Sequence, residues 1–251
     1  RFYSLMWFAA FICGVWLMTR IGRRDGLTDD QLTAMLFYVF FGTLIGARLG
    51  HCVFYEWGYY KDHLLEMILP VQFSPEFRIT GYEGLASHGA AIGIVVAMLL
   101  FARKIKKPFL WIMDRLCIVV ALGGMFIRLG NFFNSEIIGK PTGSSFGVIF
   151  KRLGEDFPRH PAQLYEAFGY LILFFILWVL YKKGYGQKVG FLFGVFLIAL
   201  FTIRFVIEFF KENQVAFEDA LPLNMGQLLS IPFILAGGVI LYFSQKQAHK
   251  L

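Results

Sequence analysis

Four polar residues lie close together at the end of an apolar stretch, in the segment GGMFIRLGNFFNSEIIG. Arg128 comes first, and Asn131, Asn134 and Glu136 follow it among phenylalanines. An arginine guanidinium holds phosphate or carboxylate oxygens through paired, charge-assisted hydrogen bonds, and amide side chains add further donors and acceptors. The segment therefore predicts an anion-binding site. The alternative interpretation is that Arg128 only extends its charged end to a membrane interface.

A second group of candidate residues lies elsewhere in the chain. Arg204 and Glu208 are four residues apart in TIRFVIEFF, so they share one face of a helix. His88, in GLASHGAAIG, belongs to the residue type that accepts a proton near neutral pH and serves as a general base. The structural alternatives are a neutralising ion pair for Arg204 and Glu208 and a satisfied interfacial histidine for His88. Arg48, in IGARLG, is open to both a functional and a structural interpretation.

The composition indicates a membrane protein. Apolar residues make up 57% of the 251 residues and charged residues 16%, whereas soluble domains carry roughly 25% charged residues. Apolar stretches of about 17 residues or more recur, and each is long enough to cross a bilayer. We therefore predict an all-α, polytopic membrane protein that forms a single domain over residues 1–251.

Seven apolar stretches are predicted to be transmembrane helices. They cover approximately residues 3–18, 32–55, 85–101, 110–127, 162–181, 189–210 and 225–243. The sequence contains no internal repeat and no inverted symmetry of the two halves, features that are typical of transporters.

Basic residues predict the orientation of these helices. The short connections after the first, third, fifth and seventh helices are rich in lysine and arginine, and such connections lie on the cytoplasmic side. The N-terminus is therefore predicted outside and the C-terminus in the cytoplasm. The net charge of +7 then follows mainly from topology, which argues against nucleic-acid binding. The basic residues are Arg20, Arg23, Arg24, Arg103, Lys104, Lys106, Lys107, Lys182, Lys183, Lys188, Lys246 and Lys250.

Two longer loops, residues 56–84 and 130–161, fall on the outer side in this orientation. The second loop contains glycines, prolines and short β-prone sequences such as SSFGVIF. Two interpretations are open for residues 130–161, a small external subdomain inserted between the fourth and fifth helices and an unstructured loop.

The same orientation brings most intramembrane polar residues to the outer leaflet, with the exception of Asp114 and Arg115, which we expect to anchor an inner helix end. A charge at membrane depth costs roughly 2.5–3.5 kcal/mol on insertion scales, so such residues are functional candidates. The anion available at this depth is a phospholipid head group. The residues alone therefore predict an outer-leaflet enzyme or binding protein that acts on an anionic phospholipid. Glycines that would let a lipid or peptide approach the backbone near His88 are Gly81, Gly84, Gly89 and Gly93.

Several motifs occur in the order found in bacterial prolipoprotein diacylglyceryl transferases. The segment FIRLGNFFNSEIIGKPT resembles the family's G-x-R-x-G-N-F-x-N-x-E-x-x-G signature. ASHGAAIG is similar to its His-Gly segment, RHPAQLYEA to its H-P-x-Q-L-Y-E segment, RFVIEFFK to its late Arg–Glu helix and GARLGHCVFY to its second-helix segment. The resemblance extends over nearly the whole chain.

The resemblance implies a fold and a reaction. The fold is a seven-helix protein of the bacterial inner membrane with a small periplasmic head region and an active site toward the outer leaflet. The reaction moves the diacylglyceryl group of phosphatidylglycerol to the thiol of a lipobox cysteine in a prolipoprotein signal peptide. It yields a thioether and glycerol 1-phosphate. The implied partners are phosphatidylglycerol, prolipoprotein signal peptides and membrane lipid, with no cofactor and no metal.

The resemblance also implies roles for individual residues. Arg128 and Arg204 would hold the phosphate, and His88 would be the base or a positioning residue. The remaining matches to the family's site, all expected to bind substrate, are Tyr3, Asn131, Asn134, Glu136, Gly139 and Glu208. Two positions depart from the family pattern, Ala90 in place of a second glycine and Leu200 in place of a tyrosine. A tyrosine hydroxyl at position 200 is therefore dispensable here or is supplied by another residue.

Two other functions are alternatives to transfer. An outer-leaflet lipid binder or transporter would use the same anion site without chemistry. A retinal photoreceptor needs a lysine in its last span, and MGQLLSIPFILAGGVILYF has none. The three cysteines, Cys13, Cys52 and Cys117, lie in apolar stretches without the CxxC spacing of metal or redox sites, which indicates buried thiols without a catalytic role.

Overall fold

The computed structural model of the chain describes residues 2–69, 71–73, 76–81, 84–212 and 223–248. In this part, seven helices are long and apolar enough to cross a membrane, which confirms the predicted all-α, seven-span architecture. Lys250, one of the basic residues used to orient the chain, lies outside the described residues. The helices and strands are α1 (Phe2–Arg24), α2 (Asp29–Phe54), α3 (Trp57–Tyr60), α4 (Leu64–Ile68), β1 (Val71–Gln72), β2 (Arg78–Ile79), α5 (Ser87–Ile105), α6 (Phe109–Asn134), α7 (Ala162–Lys182), α8 (Phe191–Ile207) and α9 (Met225–Ala248).

Several helices continue beyond the apolar stretches that predicted them. α1 ends at Arg24, and α6 continues to Asn134, about two turns past the predicted end at residue 127. The reason is that hydropathy marks only the part of a helix that crosses the bilayer. Polar residues extend a helix readily, and cations in its last turn interact favourably with its dipole. Arg128 and the two asparagines therefore lie on α6 itself.

The chain divides into two compact units. The larger unit comprises Arg1–Gly22 and Met113–Leu251, and the smaller unit comprises Arg23–Ile112. The single domain expected from the sequence stays a prediction.

In the larger unit, a buried carboxylate fixes the start of α8. The Asp114 side chain on α6 accepts hydrogen bonds from the backbone N–H groups of Gly190 at 2.7 Å and Phe193 at 2.8 Å. The first N–H groups of a helix have no partner within the helix, and a carboxylate there also interacts favourably with the helix dipole. Asp114 thus anchors a helix end, as predicted. Apolar residues packed in the same region are Leu17, Ile21, Cys117, Ile118, Leu177, Leu192 and Phe196.

In the smaller unit, α2 and α5 pack closely through small residues. A Cβ atom on Gly42 would lie 2.6 Å from Ala97 Cβ, and one on Gly50 would lie 2.6 Å from Gly89 Cα. Interfaces of small residues are typical of membrane helices, because they let two backbones approach. α2 therefore packs against the backbone at Gly89 and Gly93. Both glycines also line an apolar groove of about 690 Å³ formed by α2 and α5, so the approach of a lipid or peptide expected there stays a prediction.

Arg48 connects α2 to the loop that follows it. Its guanidinium is buried and donates to the Glu66 carbonyl at 2.8 Å, the Tyr60 hydroxyl at 3.0 Å and the Met67 carbonyl at 3.2 Å. The Glu66 carboxylate in turn accepts the backbone N–H of Phe73 at 2.7 Å. These contacts support the structural interpretation of Arg48, which holds the loop against α2.

Residues 135–161 are ordered by hydrogen bonds, so the unstructured alternative is wrong. Arg159 pairs in isolated β-bridges with Pro141 and Val148, and its buried guanidinium donates to the Gly139 carbonyl at 3.1 Å. The same guanidinium donates to both carboxylate oxygens of Glu155, at 2.6 and 2.7 Å. These hydrogen bonds hold the pKa of the Glu155 carboxyl below its usual value. An external subdomain at these residues stays a prediction.

Candidate functional site

The candidate site lies in the larger unit, where the ends of five helices meet. Successive helices of this unit run in opposite directions, so the end of α6 meets the start of α7 and the end of α8 meets the start of α9. Ion pairs and hydrogen bonds link the polar side chains at these ends. The linked residues are Arg128, Asn131, Asn134, Glu136, Gln163, Glu166, Glu208 and Lys211. Tyr3 and Arg204 lie at the same helix ends without a side-chain hydrogen bond to the described residues.

The turn that ends α6 places Glu136 over the helix. Ser135 adopts a left-handed conformation, with φ of 57°. The Glu136 N–H donates to the Asn131 carbonyl at 2.9 Å, and the Ser135 N–H donates to the Phe132 carbonyl at 3.1 Å. This pair of bonds is the Schellman motif, which reverses the chain at a helix C-terminus. The motif turns Glu136 back toward the side chains of the last turns of α6.

Glu136 connects three of the predicted residues. Its carboxylate accepts a hydrogen bond from Asn131 Nδ2 at 2.8 Å and another from Asn134 Nδ2. The Asn131 side-chain oxygen in turn accepts from Arg128 Nη1 at 3.2 Å. The structure therefore brings together Arg128, Asn131, Asn134 and Glu136, whose proximity the sequence spacing predicted.

The first two turns of α7 contribute two residues that sequence reasoning missed. Gln163 and Glu166 are three residues apart, so they share a helix face, and both are 0% exposed. Gln163 Nε2 donates to the Glu136 carbonyl at 2.6 Å. Glu166 Oε2 lies 2.8 Å from Arg128 Nε, which gives the buried arginine its countercharge.

Lys211, just after α8, is the third residue that was missed. It is 3% exposed, and its ammonium donates to Glu166 Oε1 at 3.1 Å and to Glu208 Oε1 at 2.8 Å. Glu208 also accepts from Asn224 Nδ2 at 3.2 Å. The alternative of an Arg204–Glu208 ion pair is wrong, because Glu208 pairs with Lys211 instead.

Of the two arginines that the motifs place in the site, Arg204 has more available donors than Arg128. Arg204 makes no hydrogen bond and no ion pair to the described residues. Its charge does act on the Tyr170 hydroxyl, as do the charges of Arg128 and Glu166. Arg128 differs, since its Nε and Nη1 atoms already contact Glu166 and Asn131. An arriving anion therefore meets a free fork of N–H groups at Arg204 and a partly committed one at Arg128.

Tyr3 lies beside this network, in the first turn of α1. Its ring packs over Gly130 of α6, where a Cβ atom would lie 3.4 Å from Tyr3 Cδ2. Tyr3 also lines a pocket of about 520 Å³. The other residues of the pocket wall are Phe2, Ser4, Phe133, Asn134 and Arg152.

Gly139 occupies a crowded position in the backbone. A Cβ atom there would lie 2.8 Å from both His160 Cβ and the Phe210 carbonyl oxygen. Gly139 also pairs with Lys211 in an isolated β-bridge. Close packing of two chain segments is therefore sufficient reason for a glycine at this position.

His88 belongs to the smaller unit. It lies in the first turn of α5 and is exposed. The backbone just before it is fixed to α2 by a hydrogen bond from Ala86 N–H to the Ala47 carbonyl at 2.9 Å. The side chain is thus accessible on a fixed helix end, which is compatible with a role as a base.

A sequence signal for the missed residues does exist. Gln163 and Glu166 are polar residues at the start of an apolar span, in the motif RHPAQLYEA, and Lys211 ends the motif RFVIEFFK. Polar residues within spans are functional candidates by default. Their pairing could not be predicted, because Glu166 and Lys211 are 45 residues apart in the chain.

The chain is similar to proteins of one known family. The family described as "Prolipoprotein diacylglyceryl transferase" matches residues 1–243. The chain is 48% identical over 252 residues to phosphatidylglycerol–prolipoprotein diacylglyceryl transferase of Bacteroides fragilis, covering 98% of this chain and 90% of that protein. It is 44% identical to the Tolumonas auensis enzyme of the same name, covering 98% and 92%, and 40% identical to that of Chloroherpeton thalassium, covering 99% and 89%.

Proposed function

The chain belongs to the prolipoprotein diacylglyceryl transferase family, and on that premise we propose that it moves the diacylglyceryl group of phosphatidylglycerol to a prolipoprotein cysteine. The products are a thioether-linked lipoprotein precursor and glycerol 1-phosphate. The observation that carries the proposal is the whole-chain family match, together with a buried cluster of polar residues that leaves the Arg204 guanidinium free for an anion.

The chemistry places distinct demands on the site. A cysteine thiol with a pKa of about 8.5 is mostly protonated at neutral pH, and only the thiolate is a good nucleophile. The thiolate attacks the glycerol carbon that is bonded to phosphate, so a C–S bond forms as the C–O bond breaks. The thiol proton passes to a base, and the departing phosphate ester gains negative charge. Arginines near that phosphate stabilise the transition state.

Arg204 and Arg128 are proposed to hold the phosphate together. Arg204 supplies a fork of N–H groups for two phosphate oxygens, a contact that lysine cannot reproduce. Arg128 adds positive charge from a position fixed by Glu166. Tyr170 places a hydroxyl among these charges, and this hydroxyl is a candidate to replace the one absent at Leu200.

The remaining site residues keep the roles that the resemblance implies. His88 is proposed as the base or as a positioning residue, on the strength of its motif and its accessibility. We propose the following residues for substrate binding or for shaping the site around it: Tyr3, Asn131, Asn134, Glu136, Gly139 and Glu208. In the contacts described above, Asn131, Asn134 and Glu136 act by fixing one another and Arg128.

The proposed setting is the outer leaflet of the bacterial inner membrane. The distribution of basic residues supports an outer N-terminus, a cytoplasmic C-terminus and an outer position for residues 130–161. Phosphatidylglycerol would then reach the site laterally from the bilayer. The second substrate would be a signal peptide anchored in the same membrane, with its lipobox cysteine near the outer surface.

One reconstitution tests the reaction. Purified protein is mixed with phosphatidylglycerol vesicles and a lipobox peptide, and the peptide is analysed by mass spectrometry. We expect a mass increase of one diacylglyceryl group and release of one glycerol 1-phosphate for each peptide modified. A peptide with serine in place of the lipobox cysteine is the matched control. Lipid binding without either product would support the alternative, an outer-leaflet phospholipid binder without chemistry.

A further inference from the structure

Arg152 is an arginine that neither the motifs nor the buried ion pairs account for. It lies in a short 3-10 helix, Lys151–Leu153, and lines the pocket of about 520 Å³ beside Tyr3. Its Nη1 atom donates to the Phe133 carbonyl at 2.8 Å and to Asn134 Oδ1 at 3.3 Å. These two contacts hold the guanidinium at the pocket wall.

The other side of the Arg152 guanidinium has unused donors. Its Nε and Nη2 atoms make no hydrogen bond to described residues, and no described carboxylate lies within ion-pair distance. Arg128 and Arg159, in contrast, both face carboxylates. The Nε and Nη2 edge of a guanidinium is one of the two edges that hold two oxygens of one oxyanion. Arg152 therefore presents an uncompensated charge and a free fork at a pocket.

A continuous set of hydrogen bonds connects Arg152 to Arg128. Arg152 donates to Asn134, and the amides of Asn134 and Asn131 both donate to the carboxylate of Glu136. Asn131 accepts from Arg128. The two arginines thus lie at opposite ends of one chain of side chains, with a single carboxylate at its middle. This arrangement fixes the orientation of the Asn134 amide and so the position of Arg152.

The pocket wall fits an anion that also carries hydroxyl groups. Tyr3 and Ser4 contribute hydroxyls, which both donate and accept hydrogen bonds, while Phe2 and Phe133 contribute apolar surface with their rings stacked at 5.2 Å. We propose that this pocket binds a glycerol phosphate group before or after transfer, with the phosphate on Arg152. The inference rests on the proposed function, because that reaction both consumes a glycerol phosphate head group and releases glycerol 1-phosphate.

The group has two possible sources, the head group of arriving phosphatidylglycerol and the released product. Kinetics separates them. If the pocket receives the lipid, Arg152→Ala raises the KM for phosphatidylglycerol by roughly 10-fold or more, as expected for the loss of charged hydrogen bonds. If it receives the product, the same variant raises the inhibition constant of added sn-glycerol 1-phosphate by a similar factor. Either shift supports the proposal.

Two further variants make the test specific. Lys151→Ala removes the same charge from the adjacent exposed residue, which does not line the pocket, and it should change neither constant. Arg152→Gln keeps a polar side chain with N–H donors but removes the charge and the free Nε and Nη2 fork, so it serves if the alanine variant unfolds. The site would be refuted if a folded Arg152→Gln protein kept both the KM for phosphatidylglycerol and the inhibition constant of sn-glycerol 1-phosphate within about twofold of wild type. The site would also be refuted if Lys151→Ala shifted these constants as much as the Arg152 variants do.

Direct binding separates this inference from the proposed reaction. Isothermal titration of the detergent-solubilised protein with sn-glycerol 1-phosphate should show binding that Arg152→Gln weakens, and titration with glycerol should show none. A wild-type protein that forms no thioether but retains this binding would contradict the reaction and leave the pocket intact. Absence of Arg152-dependent binding, with transfer and both kinetic constants unchanged, would contradict the pocket alone.

Discussion

Glu166 Oε2 lies 2.8 Å from Arg128 Nε, in an ion pair that joins the second turn of α7 to the last turns of α6. The contact is an ion pair without the alignment of a hydrogen bond, since Glu166 Oε2 has no hydrogen-bond partner in the described part of the chain. The other carboxylate oxygen accepts from Lys211 at 3.1 Å. One buried carboxylate therefore balances two cations and holds the ends of three helices at the site.

Replacing this carboxylate should both destabilise and inactivate the protein. Glu166→Gln leaves Arg128 and Lys211 buried with less countercharge, and loss of one partner of a buried ion pair costs about 3–5 kcal/mol. We expect a large fall in the thermal unfolding midpoint and loss of transfer activity. Glu76→Gln, the same change at an exposed residue of the smaller unit, is the matched control. An unchanged midpoint in Glu166→Gln would show that Glu166 is not the countercharge of these cations.

The two arginines that are proposed to bind phosphate should differ in their effect on stability. Arg204→Ala removes a side chain with no ion pair among the described residues, so the unfolding midpoint should barely change. Activity should fall on the order of 100-fold or more, as for other lost electrostatic donors. Arg128→Ala should lose both activity and stability, because it leaves Glu166 with Lys211 as its only ion-pair partner among the described residues. Lysine should rescue poorly at position 204, since a point charge does not reproduce forked contacts.

Measurements of kcat/KM and unfolding midpoint on the same preparations provide this test. Equal destabilisation by the two alanine variants would mean that Arg204 has a structural partner as well. A fully active Arg204→Ala protein would remove Arg204 from the phosphate site.

The sequence predicts the fold more completely than it predicts the site. Seven spans were predictable because the bilayer fixes the length and apolarity of each helix, whatever the helix packs against. The group around Glu136 was also predictable, since Arg128 and Asn131 are one helical turn apart. The pairing of Glu166 with Lys211 was not, because it depends on how two distant helix ends meet.

Glycines show a second limit of sequence reasoning. A glycine near His88 is compatible with close approach of a ligand or of another helix, and the residue type is the same in both cases. The structure places Gly89 against Gly50 of α2, a contact between segments far apart in the chain. Gly89 and Gly93 also line an apolar groove of about 690 Å³, so the residue type alone does not separate the two uses.

The contact between Glu155 and Arg159 should make stability depend on pH. Arg159 lowers the pKa of Glu155 in the folded protein below the value of about 4.3 expected when unfolded. The ionised carboxylate therefore stabilises the fold at neutral pH, and this contribution disappears as the pH falls through the folded pKa. Glu155→Gln should lower the unfolding midpoint at neutral pH and converge with wild type in acid.

Thermal unfolding between about pH 3 and 8 measures this difference. Asp156→Asn, at the exposed neighbouring residue, should not reproduce it. A gap between Glu155→Gln and wild type that persists unchanged into acid would show that the effect comes from packing and not from charge.

A protein without its own thiols should still transfer the lipid. Cys52 and Cys117 are buried and Cys13 is partly buried, and the substrate supplies the reactive thiol. The triple variant Cys13→Ala, Cys52→Ala and Cys117→Ala should keep most of its activity in the peptide assay. Complete loss of turnover in a folded triple variant would indicate a covalent intermediate on the enzyme.

The same cysteine-free protein tests the proposed topology. Ser145→Cys and Gln187→Cys each place a thiol at an exposed residue, in the connections before and after α7. Gln187 is preferable to its neighbour Gly186, where a Cβ atom would lie 3.0 Å from Tyr181 Cδ2. In intact spheroplasts, an impermeant thiol reagent should label position 145 and not position 187. The reverse pattern would overturn the outer-leaflet site.

The role of His88 can be decided by the pH dependence of its variant. If His88 removes the thiol proton, His88→Gln loses activity that rising pH partly restores, because hydroxide generates the thiolate without help. Arg204→Ala should show no such recovery, since its defect concerns phosphate charge and not proton removal. Arg204 is a better comparison than Arg128, whose replacement is expected to unfold the site as well.

Initial rates between about pH 6 and 9.5 distinguish the possibilities, because this range spans the ordinary pKa of a cysteine thiol. If activity recovers at high pH in His88→Gln but not in Arg204→Ala, His88 is the base. A loss in His88→Gln that is independent of pH, parallel to that of Arg204→Ala, makes His88 a positioning residue. Full activity of His88→Gln at every pH would mean that the thiol loses its proton to another group. The positive field of the arginines would then be the first candidate, since it stabilises the thiolate directly.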